Sequence, residues 1–283
     1  MSAPSTDAAA AIDGPGAFQR PVVIHTAAGA RHDRWGIAEE VAVEITINGA
    51  PWTVCMATPA DLEDLAMGLA LTEGRVTDAA QVRAVEVTHL LGDFRVALQV
   101  GAGAVVDRGT HTTSPTGACG LCGLESLAAL HARVPHRGGR RRATESSLPL
   151  EAVQRAFEAL PSEQPLHART RSVHAAAWCT RDGSLVLIRE DVGRHNALDK
   201  LIGALARAGR LREEGFVVMT SRCSYELVAK CALTGATLLA TWSAPTSLAL
   251  HWASTIGLSL CSVLRTPEGL ALVSFPQDVV DAG

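Results

Sequence analysis

Aromatic side chains are scarce in this sequence: five Trp, five Phe and one Tyr amount to 4% of its 283 residues. The core must therefore be built from Leu, Val and Ala, and with 47% hydrophobic residues there is enough for one large domain or two modest ones. No apolar run approaches the roughly 20 residues of a membrane span, so no membrane partner is expected. The first twenty residues are mostly Ala, Ser, Pro and Gly, with neither a basic start nor an apolar stretch. They read as a disordered tail over residues 1–20 and not as a signal peptide. A net charge of −4 gives no general case for nucleic acid or an anionic surface as partner. A second Cys-x-x-Cys is also lacking, and no complementary ligand pair is visible, so no structural metal is expected. The seven cysteines are odd in number, and the spacing pairs only two of them. That fits a reducing, cytoplasmic setting.

What is present stands out against these absences. In Thr116-Gly-Ala-Cys119-Gly-Leu-Cys122-Gly-Leu-Glu-Ser-Leu127, two thiols three apart are each followed by glycine. Glycine admits backbone conformations closed to other residues, so the pair sits on a loop that can move. The Leu124, Leu127, Leu130 spacing starts a short helix, whose N-terminal potential favours thiolate over thiol. Three uses suit such a pair: a zinc half-site, a redox disulfide, or relay of sulfur as a persulfide. Cys55, Cys179, Cys223, Cys231 and Cys261 are scattered, and the last four read as packing residues.

The chain before the pair alternates strands with one helix. Strands are expected over residues 22–25, 41–49, 52–57, 82–87 and 94–100, with Asn48-Gly49 as a hairpin turn. Thr58-Pro59-Ala60-Asp61 reads as a helix start with Thr58 as N-cap, and Gly74 as its close. Residues 136–142, rich in Arg and Gly, form a basic linker, either a solvated loop or a landing site for phosphates. Residues 21–145 thus read as an α+β part ending in the Cys loop and linker. Residues 146–283 read as an α/β domain. There a helix ending at Pro161 precedes apolar strands at 185–188, 216–219, 236–240, 258–264 and 270–274, with helices between, a pattern for a sheet covered on both faces.

Ligands of such sheets gather just past the strand ends. Three polar clusters occupy those places: Glu190, Asp191, Gly193, Arg194, His195 and Asn196; Ser221 to Ser224 with Arg222; and Ser243 to Ser247 with Thr246. Each precedes a helix whose free N–H groups suit phosphate oxygens, although Ser224, Thr246 and Asn196 also read as simple N-caps. His195 lies in a polar setting that favours a ligand role, whereas His174 lies beside an apolar run and reads as inward-pointing. Asp199 and Lys200 are expected to pair with Glu190 or Arg194.

Taken together these segments resemble the FdhD/NarQ family, the formate dehydrogenase accessory sulfurtransferases. The resemblance rests on Thr58-Pro-Ala-Asp-Leu-Glu-Asp-Leu65, Cys119-Gly-Leu-Cys-Gly123, Val173-His-Ala-Ala-Ala177, Ser221-Arg-Cys-Ser-Tyr-Glu-Leu-Val-Ala-Lys230 and Ser243-Ala-Pro-Thr-Ser-Leu248. Most specific is Arg189-Glu-Asp-Val-Gly-Arg-His-Asn-Ala-Leu-Asp-Lys200. The resemblance implies a cytidine-deaminase-like three-layer α/β fold for the C-terminal part and a homodimer. It implies sulfur taken from a cysteine desulfurase as a persulfide on Cys119, with Cys122 assisting. The sulfur then goes to the molybdenum cofactor, bis-molybdopterin guanine dinucleotide, for formate dehydrogenase; GDP is its expected mimic. Cofactor contacts are implied at Val263, Leu264, Arg265, Thr266, Pro267 and Glu268, and the residue reading adds His174, Arg194, His195, Arg222, Ser224, Thr246 and Ser247. The chain departs from the family pattern at Leu124, where Lys is common, and at Ser262-Val263, where Gly-Phe is usual. Zinc-dependent deamination is excluded: His174-Ala175-Ala176 lacks the Glu of His-x-Glu, and the Cys pair precedes the His. A chaperone that holds the cofactor without sulfur chemistry is the alternative.

Overall fold

The computed structural model describes residues 16–101 and 150–275. Cys119, Cys122 and the basic linker lie outside the described residues. The first element is an antiparallel ribbon of β1 (Ala17–Thr26) and β2 (Gly29–Ala38), paired from Ala17↔Ala38 to Thr26↔Gly29. The disordered tail expected over residues 1–20 is corrected here, because residues 17–20 are paired strand. Ala17 is buried against Leu166 and Val173, so this small residue has a docking site that composition does not reveal. β2 was missed altogether, since its polar Arg31, His32, Asp33 and Arg34 carry no apolar alternation.

A four-stranded sheet follows in the order β4-β3-β6-β5, from β3 (Val41–Ile47), β4 (Ala50–Ala57), β5 (Val82–Leu90) and β6 (Asp93–Val100). The β3–β4 turn needs two residues at positive φ, and Asn48 (49°) and Gly49 (81°) supply them. Asn48 also accepts the Val100 N–H at 2.7 Å and donates to the Val100 carbonyl at 3.1 Å, which locks the turn to β6. Val43, Ile45, Val96 and Leu98 are fully buried on the inner face.

The six-stranded sheet, ordered β12-β11-β10-β9-β7-β8, carries the rest. Its strands are β7 (His174–Cys179), β8 (Leu185–Asp191), β9 (Gly215–Met219), β10 (Ala236–Thr241), β11 (Ser259–Thr266) and β12 (Gly269–Ser274). β9, β10 and β11 run parallel, and β7, β8 and β12 antiparallel to their neighbours. Alternate residues face opposite layers, as period-2 geometry requires. Phe216, Val218, Leu238, Ala240 and Cys261 meet Val153, Ala156 and Phe157 of α2 (Leu150–Ala159). Val217, Met219, Leu239 and Leu260 belong to the other core with α4 (Arg194–Arg207), α5 (Tyr225–Cys231) and α6 (Ser247–Ile256); the short α3 (Pro165–Thr170) lies outside both. The C-terminal part is thus the three-layer α/β arrangement expected.

One core also runs from this sheet into the four-stranded one through α1 (Leu62–Thr72). α1 and α4 touch at glycine: a Cβ on Gly68 would stand 1.8 Å from the Asp199 carbonyl oxygen, and one on Gly203 1.9 Å from that of Asp64. Ala in place of a helical Gly ordinarily stabilises by about 1 kcal/mol. Here the neighbour is rigid backbone, so overpacking, at about 3 kcal/mol against that gain, decides the sign. Gly68→Ala and Gly203→Ala should each lower the urea midpoint; a raised midpoint in either would contradict the contact.

α1 does not start as expected. Its N-cap is Asp61, in the left-handed region at φ 52°, ψ 38°, with no side-chain cap bond. Thr58 is spent elsewhere: its N–H donates to Asp191 Oδ2 at 3.0 Å and its hydroxyl accepts the Val192 N–H at 3.2 Å. The close is as read, with Gly74 at φ 67° and the Arg75 N–H reaching back to the Ala70 carbonyl.

Candidate functional site

Register places one edge of the six-stranded sheet under all the polar clusters. His174 at the start of β7 faces Asp191 at the end of β8, Ala176 faces Met219 at the end of β9, and Thr241 at the end of β10 faces Ser262 of β11. α4, α5 and α6 each begin within a few residues of that edge. The structure therefore brings together His174, Arg194, His195, Arg222, Ser224, Thr246, Ser247 and the 263–268 segment, which lie up to about a hundred residues apart in the chain.

These residues are not equally available. Arg194, the first residue of α4, is half-buried; its Nε is shut away from water and has no hydrogen-bond partner among the described residues. A guanidinium in that state calls for an acceptor, because an unmet buried donor costs about 1–3 kcal/mol, more when charged. Arg222 is exposed. Burial first, and then the Arg194 charge, hold the His174 imidazole below its ordinary pKa. His195 Nε2 lies 2.8 Å from Glu226 Oε2, a partner no sequence spacing announced.

Two of the three expected caps are corrected. Ser224 precedes α5 but makes no cap bond; its hydroxyl donates to Glu226 Oε2 at 3.3 Å. Asn196 lies inside α4, whose N-cap is Gly193, and its amide donates to the Met56 carbonyl at 2.8 Å. Thr246 does cap α6, accepting the Ala249 N–H at 3.3 Å, and Ser247 beside it is exposed.

In the 263–268 segment Val263 is fully buried in the core facing α2, so as a contact residue it is corrected. Leu264, Arg265, Pro267 and Glu268 are exposed, and Thr266 closes the β11–β12 turn through the Gly269 carbonyl. The Arg265 guanidinium lies 4.7 Å from the centre of the Trp242 ring, which packs edge-on against Phe157. Trp242 is a second residue that sequence reasoning passed over, having no motif around it.

The acidic members of the first cluster serve the fold. Asp191 and Lys200 form a fully buried ion pair at 2.6 Å; Asp191 also accepts N–H groups of Thr58, Gly193 and Asn196, and Lys200 donates to the Thr58 carbonyl at 3.0 Å. Asp199 takes Lys230 and the Thr72 hydroxyl, each at 2.8 Å, and burial raises its carboxyl pKa despite Lys230. The expected pairing of Asp199 and Lys200 with Glu190 or Arg194 is corrected: each found a partner 9 to about 30 positions away and not the adjacent charge. Glu190 accepts the Leu166 and His167 N–H groups at the start of α3, both at 2.8 Å.

Burial pushes Cys55 and Cys223 up to about 12 and Cys261 up to about 11, and raises Cys179 further. Among the described residues no group of three or more His, Cys, Asp or Glu side chains is placed to hold a metal ion, and no helix is long and apolar enough to cross a membrane.

Fold and edge define the class: a three-layer α/β protein with histidines along one sheet edge and, beside them, an arginine whose Nε has no partner among the described residues. The FdhD/NarQ family model matches residues 38–275, and the chain belongs to that family. It is 46% identical over 247 residues to the sulfur carrier protein FdhD of Chromobacterium violaceum, covering 86% of this chain and 90% of that one. With the protein of the same name from Xanthomonas euvesicatoria it shares 40% over 267 residues, 93% and 92% of the two chains. A crystal structure assigned as a formate dehydrogenase accessory protein from Desulfotalea psychrophila has the same fold. Its TM-score is 0.68 at 22% identity, over 94% of this chain and 100% of that one.

Proposed function

We propose that this chain is a sulfur carrier that accepts a persulfide on Cys119 from a cysteine desulfurase and delivers the sulfur to bis-molybdopterin guanine dinucleotide for formate dehydrogenase. The relatives' shared name, sulfur carrier protein FdhD, supports the carrier role at 40–46% identity. The choice of thiol follows from chemistry. Transfer needs a thiolate, and burial keeps Cys55, Cys179, Cys223 and Cys261 protonated. Cys119 and Cys122, flanked by glycines, are the remaining pair with a motif.

The first step is exchange: the Cys119 thiolate attacks the outer sulfur of the donor's persulfide, that S–S bond breaks, and the donor cysteine leaves as thiolate. Release is balanced by the second thiol. Cys122 attacks the Cys119 sulfur, a disulfide forms, and the outer sulfur departs as hydrosulfide toward the metal of the bound cofactor. A reductant must then restore the dithiol.

Arg194 carries the cofactor half of the reading: a half-buried guanidinium with an unmet donor, at the edge where helix starts converge, suits a phosphate. The guanine dinucleotide is cargo here, with its diphosphate toward Arg194 and Arg222. A homodimer in the cytoplasm is part of the same proposal. Incubation with a desulfurase and cysteine should add one labile sulfur atom to the intact mass. Peptide mapping should place it on Cys119. Sulfur found on Cys223 or Cys261 instead would defeat the assignment.

A further inference from the structure

Glu226 stands at the joint of two helix starts. It belongs to the first turn of α5, and its Oε2 meets both His195 Nε2 at 2.8 Å and the Ser224 hydroxyl at 3.3 Å. His195 belongs to the first turn of α4. One carboxylate oxygen therefore ties together two helices that open on the same sheet edge. Both side chains are largely withdrawn from water, at 12% and 13% exposure.

A carboxylate beside an anion site works against the anion by like-charge repulsion. Its place is explained by what it does to the imidazole. A carboxylate oxygen at this distance accepts, so Nε2 carries the hydrogen, and in the uncharged form of the ring Nδ1 is the bare nitrogen. That nitrogen has no hydrogen-bond partner among the described residues. Second-partner carboxylates fix tautomer and ring direction in the same way at metal-binding histidines. The Ser224 hydroxyl, which the sequence pointed to as a ligand contact, instead pins the carboxylate in place.

We propose that Glu226 is a positioning residue for the nucleotide edge. It holds His195 with Nε2 turned inward and presents Nδ1 as an acceptor to an N–H or O–H donor of a guanine nucleotide, while Arg194 meets the phosphates. This rests on the reading of the edge as the cofactor site. It divides the ligand between two neighbours on α4: the anion to Arg194, a base or sugar donor to His195.

The test has two readouts. Nitrogen-15 NMR of the free, histidine-labelled protein reports the His195 tautomer, and calorimetry with GDP reports affinity. Wild type should show the Nε2–H form. Glu226→Ala should lose that signature and weaken GDP binding about tenfold. Glu226→Gln, whose carbonyl oxygen replaces Oε2, should keep both. Arg194→Ala should weaken GDP roughly ten- to hundredfold with the tautomer unchanged. An unchanged tautomer in Glu226→Ala, or a changed one with full GDP affinity, overturns the positioning role. A wild-type protein that takes up no GDP overturns the reading of the edge as the cofactor site, whatever the tautomer. The tautomer spectrum, recorded without ligand, tells the two failures apart.

Discussion

Cells whose only copy of this protein carries Cys119→Ala are expected to lose formate dehydrogenase activity to background. The effect is total because no thiol among the described residues can stand in for Cys119. A thiol with a pKa near 11, as at Cys261, is ionised to only about one part in ten thousand at neutral pH, against a few per cent for an ordinary thiol near 8.5. Cys55 and Cys223, at about 12, are lower still by tenfold. Burial also bars a donor protein from reaching Cys179, Cys223 and Cys231. The purified variant should still bind GDP as wild type does, because the thiol acts on the metal end of the cargo and the sheet edge on the nucleotide end. Retained formate dehydrogenase activity together with normal GDP binding would favour the chaperone alternative, in which the cofactor is held and no sulfur moves.

Lys200→Met should cost about 3–5 kcal/mol of stability, the range for removing one partner of a buried ion pair. Measured by urea unfolding, that is a large share of the 5–15 kcal/mol typical of a domain. Asp191, wholly buried, would keep its three N–H donors but lose the only cation in contact with it among the described residues. The loss extends beyond the pair. Lys200 also holds the Thr58 carbonyl, and Asp191 the Thr58 N–H, so the pair helps tie the segment leading into α1 to the six-stranded sheet, beside the Thr58–Val192 and Asn196–Met56 bonds. Replacing both charges with apolar residues rescues many buried pairs. Here it should not, since three N–H groups would be left without an acceptor. A double variant Lys200→Met, Asp191→Leu as stable as wild type would show that the pair is dispensable.

How far each residue's role was legible depends on how far away its partner lies. The sequence by itself determined what is local. Asn48-Gly49 declares a two-residue turn because few residues accept two positive φ values. Gly74 declares a helix end for the same reason. Apolar runs at β9, β10 and β11 declare a sheet covered on both faces, since both side-chain sets must be buried. The Cys119, Cys122 spacing and the twelve residues from Arg189 were enough to place the family.

Only the tertiary structure decided what those twelve residues do. They read as a ligand cluster because they are polar and follow a strand. Folded, most of them are bound inward: Arg189 to Asp64, Glu190 to α3, Asp191 to Lys200 and Thr58, Asn196 to Met56, Asp199 to Lys230. Arg194 Nε and His195 Nδ1 are nitrogens of the run that meet no partner among the described residues. Sequence could not sort them, because Asp64, Thr58 and Met56, which Arg189, Asp191 and Asn196 bind, lie more than a hundred positions away. Thr58 shows the same limit, a helix cap by local chemistry and a tether in fact. Glu226 and Trp242 were invisible for the opposite reason: nothing near them in the chain marks them, and their meaning comes from His195 and Arg265 across the sheet edge. Local propensity acts over a few residues, whereas a buried polar group must find its partner wherever the fold supplies one, and that search is settled only when the layers close.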